Sequence, residues 1–422
     1  MTKIISRYSR KLNSYDFCAG TKIRYIRGLH DGSMEYDLVI VGGGPVGCEI
    51  AARVGCDLKS LVIEEHGQIG LPVQCAGLIT PRVVEMTRTE DSILNKLSSA
   101  HFHFPNGLVL EVRGKGTKAF VVDRKSFDQI CYERAVSAGA SFSLSSKFID
   151  FSNEGDKLKL AIETNGERQI ISTKLLIGAD GYRSRVSEIE GLGRPLERVK
   201  GIQVDIDYEM NEQDTVQVYL GEKVAPGFFA WMIPCGSFTR LGLCISEQFG
   251  TPANYLRRLL KQLGLDQRRR IRASSGIIPI GSLRKTYADR LMIVGDAAGQ
   301  AKPLSGGGLY TGCVAAQCAT EAALRCFEEE DFSARLTSTY QRAWKRQIGR
   351  ELDRGYRIRK VFTRLDDRKL DEIGSILKRE EVIEILSTGD IDFPSLIAPS
   401  ILKAAPSLLK FSPQLLRSFI GK

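Results

Sequence analysis

The stretch that most constrains this chain is DLVIVGGGPVGCEIAARVGCDLKSLVIEEH, residues 37–66. Two apolar, β-branched runs, Asp37 to Val41 and Leu61 to Ile63, flank about ten residues of helical pattern. Continuous runs of this kind mark parallel strands buried on both faces. Between them stands Gly42-x-Gly44-x-x-Gly47, and Glu64 ends the second strand seventeen residues after Gly47. Each part meets a physical need: Gly42 permits the tight turn, Gly44 lets backbone N–H groups approach a pyrophosphate, Gly47 lets helix and strand pack closely, and Glu64 accepts from a ribose hydroxyl. Three glycines alone are weak evidence. With both strands, the helix and the acid in register, they predict a βαβ unit that binds a dinucleotide.

The far end of the chain narrows the choice of dinucleotide. Leu291-Met292-Ile293-Val294 reads as another buried strand, followed by Gly295-Asp296-Ala297-Ala298-Gly299, then Pro303 and Ser305-Gly306-Gly307-Gly308. An aspartate at that turn suits a ribityl hydroxyl, and the glycines let a helix N-terminus approach a flat, electron-rich ring. A nicotinamide dinucleotide has no ribityl chain, so FAD is the expectation. Gly178-Ala179-Asp180-Gly181-Tyr182-x-Ser184-x-Val186 repeats the same strand-then-turn logic.

These pieces, with Asp123-Arg124-x-x-Phe127-Asp128 between them, resemble the flavoprotein superfamily that includes para-hydroxybenzoate hydroxylase, over residues 36 to about 325. Within it, Leu71-Pro72-Val73-Gln74-Cys75-Ala76-Gly77 and Pro226-Gly227-Phe228-Phe229-Ala230-Trp231-Met232-Ile233-Pro234 resemble the two signature stretches of the geranylgeranyl reductase family. Its members saturate double bonds of prenyl chains on archaeal ether lipids, chlorophyll or quinones. The expected fold is mixed α/β: a Rossmann-like FAD-binding domain (34–100, 115–195 and 276–328), an inserted antiparallel-sheet substrate domain (101–114 and 196–275) and a C-terminal helical region (329–422).

The resemblance implies FAD contacts from Gly42, Gly44, Pro45, Gly47, Glu64, Glu65, Cys75, Ala76, Arg124, Asp180, Asp296, Pro303, Gly306, Gly307, Gly308 and Leu309. It implies catalytic positions at Cys75 and Trp231, with Phe228, Phe229 and Trp231 lining a lipid tunnel. The family commonly carries a tyrosine two residues before the tryptophan, and here Phe229 stands there without a hydroxyl.

Such chemistry asks for these residue types. An isolated trisubstituted alkene has no carbonyl to take up charge, so a hydride must be matched by a proton from a weak acid in a dry site. A free thiol, with pKa about 8.5, keeps its proton at neutral pH. Cys75 is the candidate donor, and its bland alternative is a small buried hydrophobe. Trp231 and its neighbouring phenylalanines read equally as tunnel lining and as inward positions of a sheet. The prenyl chain is expected on an archaeal-type digeranylgeranylglycerophospholipid, with chlorophyll or a prenylquinone as alternatives. Aromatic monooxygenation or halogenation on the same scaffold is the rival activity. The halogenase motif W-x-W-x-I is missing, because Trp231 and Trp344 are the only tryptophans. The electron donor stays open between ferredoxin, NADPH and a reduced deazaflavin, a second dinucleotide fingerprint being absent.

Ten cysteines run from Cys18 to Cys326 without a C-x-x-C pair, and there are four histidines, so no metal is expected and free thiols suit a cytoplasm. Half of the +10 net charge lies in residues 1–33, where seven basic residues meet Asp16 and Asp31. That segment is expected to be a disordered basic extension, or a misassigned start with Met34 as the true one. Ile397 to Lys422 carries Lys403, Lys410, Arg417 and Lys422 with no acid, interleaved with leucines and isoleucines. It reads equally as helices capping the protein's own core and as a peripheral contact with the cytoplasmic face of a membrane, and a lipid substrate tilts the balance to the membrane. No run of eighteen apolar residues predicts a spanning helix, and net charge alone does not argue for nucleic acid.

Overall fold

Strand β1 (Met34–Val41) runs through the middle of a sheet because both of its faces are apolar: Leu38, Val39 and Ile40 are each 0% exposed. Leu38 and Ile40 enter one core cluster and Val39 and Val41 another, so the strand separates two packed layers. In the computed structural model, which describes residues 34–411, β1 is followed by helix α1 (Pro45–Val54) and strand β2 (Ser60–Ile63). The expected basic extension (1–33) and the end of the C-terminal stretch (412–422) lie outside the described residues.

Helix α2 (Arg124–Ser137) begins where Asp123 caps it, the Asp123 carboxylate accepting from Ser126 N–H at 2.8 Å. It is followed by strand β3 (Glu167–Gly178), strand β4 (Leu291–Ile293) and helix α3 (Leu309–Glu328). The strands lie in the order β4-β3-β1-β2, then Ser141–Ser143, all parallel to their neighbours. The chain leaves β1 for β2 on one side and returns to β3 on the other, so a switch point lies between β1 and β3. In sheets of this type ligands bind there, beyond the carboxyl ends of the strands. Helices α1, α2 and α3 pack together on one face through Cys48, Ile50, Phe127, Cys131, Ala315 and Ala319.

The second sheet has seven strands, in the order Arg270–Ile280, Glu197–Ile206, Thr239–Ser246, Ala230–Pro234, Thr215–Tyr219, Ser99–His103 and Val109–Arg113. All neighbours are antiparallel except Thr215–Tyr219 with Ser99–His103. The alternating sequence of 200–247 predicts one wetter face, and the structure departs from this in Thr239–Ser246, which is buried at every residue. The reason is the amphipathic helix Pro252–Gln262, whose Leu256, Leu259 and Leu260 cover Leu241, Leu243 and Ile245. The opposite face of that strand carries Arg240, which reaches the Ala76 carbonyl, and Cys244, which packs with Phe228 and Ala301. A third, three-stranded sheet (Leu78–Ile79, Ile93–Leu97 and Ala119–Val122) borders the segment that carries Cys75. The described chain after 329 is mainly helical, including α4 (Arg350–Phe362).

Candidate active site

Register brings the three glycine turns together. Val41 pairs with both Ile63 and Gly178, and Gly178 pairs with Ile293, so four strand ends stand in one row. The turns that follow must therefore meet. Gly42 adopts φ +105°, and a methyl group on it would lie 2.3 Å from the Ala179 carbonyl oxygen. A methyl on Gly47 would lie 2.0 Å from the Gly42 oxygen, whereas nothing lies within 4 Å of such a group on Gly44. Gly44 is thus the open side of the turn, with Pro45 starting α1 and no acid in its first turn to neutralise the helix end. The Glu64 carboxylate accepts from Gly43 N–H at 2.7 Å and from His66 N–H at 2.9 Å, which fixes it beside the turn, and Glu65 is exposed. Asp180 is occupied: its carboxylate accepts from Ser184 Oγ (2.6 Å) and from the backbone of Arg185 (2.7 Å) and Val186 (3.2 Å). It shapes the turn that crosses Gly42.

Asp296 is different. Among the described residues nothing donates a hydrogen bond to its carboxylate, although burial pushes its carboxyl up to about 6 against the pull of Arg124. A methyl on Gly308 would lie 2.9 Å from Asp296 Oδ1, so the carboxylate faces the last residue of the glycine loop just before Leu309 opens α3. A half-buried carboxylate with no donor of its own suits a hydroxylated ligand.

Cys75 sits where the two sheets approach. Its sulfur accepts from Gly77 N–H at 3.4 Å, its carbonyl from Gln203 Nε2 at 2.9 Å, and the next carbonyl, of Ala76, from Arg240 Nη1 at 2.7 Å. Gly77 has φ +69°, and a methyl there would stand 2.5 Å from the Val122 oxygen, so the residue must be glycine. Arg124 lies against this loop: it binds Asp128 through Nε (3.0 Å) and Nη2 (3.1 Å), and a methyl on Gly77 would lie 3.5 Å from its Cγ. Burial works against the charge of Arg124, and the carboxylate of Asp128 works for it and raises its pKa.

The wall opposite is a row across paired strands, Gln203, Gly242, Trp231, Val218 and Phe102. The Trp231 indole lies across Gly242, where a methyl would be 2.6 Å both from its ring and from Gln203 Cβ. Trp231 Nε1 and Gln203 Oε1 are buried without a partner among the described residues. Phe228 stacks on Phe229 (4.5 Å between centroids), Phe229 meets Trp231 edge-on (6.2 Å), and Phe228 Cζ would lie 3.2 Å from a methyl on Gly306. The aromatic cluster and the glycine loop are therefore in contact.

The structure thus brings together the glycine turn, Asp296, the 303–308 loop, Cys75, Arg124 and the aromatic row. Sequence reasoning missed Gln203, Arg240 and the buried Asp205 that binds Arg240 Nε at 2.9 Å. No local signal marks them, because Gln203 and Arg240 reach Cys75 and Ala76 across 128 and 164 residues.

FAD fits these residues on two counts: the open cradle at Gly44 for its phosphates and the unpartnered Asp296 carboxylate for its ribityl hydroxyls. Fold and site together define an FAD-dependent flavoprotein, and residues 35–348 match the FAD binding domain family. Within that class the chain belongs to the geranylgeranyl reductase family. It is 32% identical over 365 residues to the digeranylgeranylglycerophospholipid reductase of Methanocaldococcus jannaschii, covering 83% of this chain and 92% of that one. It is also 31% identical over 381 residues to an uncharacterised protein of the same organism, covering 88% of this chain and 95% of the other. Among solved structures, a geranylgeranyl bacteriochlorophyll reductase-like protein of Thermoplasma acidophilum shares the fold, with TM-score 0.82, 24% identity and coverage of 91% of this chain and 100% of that one.

Proposed function

We propose that the protein is an FAD-dependent reductase that saturates carbon–carbon double bonds of geranylgeranyl chains, those of digeranylgeranylglycerophospholipids before those of chlorophyll or quinones. The observation that carries this reading is Cys75, a thiol on a peptide fixed by Gln203 and Arg240, beside the strand row that carries Trp231. Reduced FAD, when bound, supplies a hydride to one alkene carbon. The other carbon takes its proton from Cys75, so that the S–H bond breaks as a C–H bond forms. Arg124, the guanidinium that lies against this loop, stabilises the thiolate left behind. Gln203 and Arg240 keep the loop from drifting, and Phe228, Phe229 and Trp231 exclude water from the developing charge.

The electrons come from an external donor, ferredoxin, NADPH or a reduced deazaflavin. A lipid-borne substrate puts the protein at the cytoplasmic face of a membrane by peripheral contact. Among the described residues no helix is long and apolar enough to cross one.

The test is anaerobic. The holoprotein is reduced with dithionite, given a geranylgeranyl glycerophospholipid in detergent, and followed by flavin absorbance alongside the mass gain of two hydrogens per double bond. Wild-type protein should reoxidise with mass gain, and Cys75→Ser should do so at least about 100-fold more slowly, the usual worth of a positioned acid. Reoxidation by Cys75→Ser at the wild-type rate would end the acid role. A reduced flavin that ignores prenyl lipid but hydroxylates an aromatic substrate with oxygen would replace the reductase by a monooxygenase.

A further inference from the structure

Lys302 is 4% exposed and has no part in the chemistry above. It opens the loop that leads to α3 and closes that loop on itself. Its N–H donates to the Gly307 carbonyl at 3.0 Å, and its own carbonyl accepts from Gly306 N–H at 2.8 Å. The side chain folds back along the same loop, so that a methyl on Gly307 would stand 3.1 Å from Lys302 Cε. The buried ammonium cannot leave without rearranging the loop whose Gly308 lies against Asp296.

What satisfies this ammonium comes from far along the chain. Lys302 Nζ donates to Asp392 Oδ1 at 2.9 Å and to the Ile391 carbonyl at 3.0 Å. Asp392, 1% exposed, also accepts from Thr80 Oγ1 at 2.8 Å and from Arg82 at 3.3 Å, five residues beyond Gly77. Arg82 holds Asp390 at 2.8 Å, and the Phe393 ring meets Tyr310, the second residue of α3, edge-on at 5.6 Å. Ser395 is anchored behind by its N–H to the buried Glu351 at 3.2 Å. Segment 390–395 therefore grips the 302–308 loop, the start of α3 and the segment that follows the Cys75 turn.

We infer that Lys302 is a positioning residue for the flavin-facing loop and that segment 390–395 is its latch, so that latch closure and FAD binding strengthen one another. The inference rests on the reading that the 302–308 loop faces FAD. A lysine buried without its carboxylate would be driven out toward water and would take the loop's backbone turn with it. Coupling of this kind is reciprocal: the factor by which a closed latch tightens FAD is the factor by which FAD closes the latch.

The experiment measures FAD release from holoprotein by the recovery of flavin fluorescence, and protease cleavage within 388–396 with and without FAD. Asp392→Asn and Lys302→Met should each weaken FAD binding at least tenfold. The double variant Lys302→Met/Asp392→Leu should recover most of the Asp392→Asn loss, because no buried ammonium is then left without its carboxylate. FAD should slow cleavage of the wild-type segment at least tenfold. Single variants that are less heat-stable yet bind FAD within twofold of wild type would overturn the latch and leave an ordinary brace. If the single variants do not fold, equal cleavage of the wild-type segment with and without FAD overturns it in the same way. Asp296→Asn separates the two readings: if it weakens FAD and the Lys302 and Asp392 variants do not, only the latch fails, whereas if none of them weakens FAD, the assignment of the loop fails.

Discussion

Asp296 carries two pH effects of opposite sign. Its carboxyl lies near 6, above the ordinary carboxylate value. Between about pH 4 and pH 6 the folded apoprotein therefore keeps a proton that the unfolded chain has released, and this group's contribution to apoprotein stability falls as pH rises through that window. With the ribityl hydroxyls donating to the ionised acid, as proposed, FAD retention should run the other way, because they lose their acceptor on acidification. FAD affinity of the wild type should fall about tenfold from pH 7 to pH 5, as the ionised fraction falls to about a tenth. Asp296→Asn should bind FAD with a flat profile over that range, by the same fluorescence assay; a wild-type profile equally flat would place the ribityl chain elsewhere. Residues of this kind, like Gly42 and Gly47, were legible in the sequence because turn geometry and ligand chemistry act within a few residues. Gln203 and Lys302 were not, because what gives them meaning is a partner 128 or 90 residues away.

At the scale of elements, the alternating pattern of the second sheet was readable and its register was not. Nothing local says that Trp231 pairs with Gly242 and Gly242 with Gln203, yet that row sets the shape of the aromatic wall. Nor does periodicity reveal that the helix Pro252–Gln262 dries a face expected to be wet. Gly242 is the place where the register can be tested. A methyl there meets both the indole and Gln203 Cβ at 2.6 Å, so Gly242→Ala must tilt the ring away from the sheet. The expected cost is about 1–3 kcal/mol of stability from overpacking. FAD affinity should stay within twofold of wild type, since the glycine turns are untouched, while the prenyl-lipid concentration for half-maximal flavin reoxidation should rise about tenfold, a loss of about 1.4 kcal/mol. If that concentration does not move, Trp231 is sheet packing alone.

For the whole molecule, the question left by the sequence was whether the C-terminal stretch covers the protein or touches a membrane. Its described part turns inward: Ile401, Leu408 and Phe411 pack on Ile376, Val382 and Ala405, and Lys410 pairs with Glu372. Exposed apolar side chains nearby are few, Ile391 at 42% and Leu396 at 58%. The charge is distributed differently. Seven of the ten net positive charges belong to residues 1–33 and 412–422, five in the first and two in the second. Attachment to an anionic surface should therefore act through the ends of the chain, each basic residue near the surface adding about 1 kcal/mol, and should be screened by salt. Co-sedimentation with vesicles rich in anionic lipid should capture the full chain at low salt and release most of it at about 0.5 M salt, beyond the range where surface charges act at a distance. Deleting residues 1–33 should remove most of the binding and leave FAD content unchanged. Binding that survives both salt and the deletion would shift attachment to the apolar residues of the folded part. No binding at all would mean that the enzyme meets its lipid without docking on the bilayer.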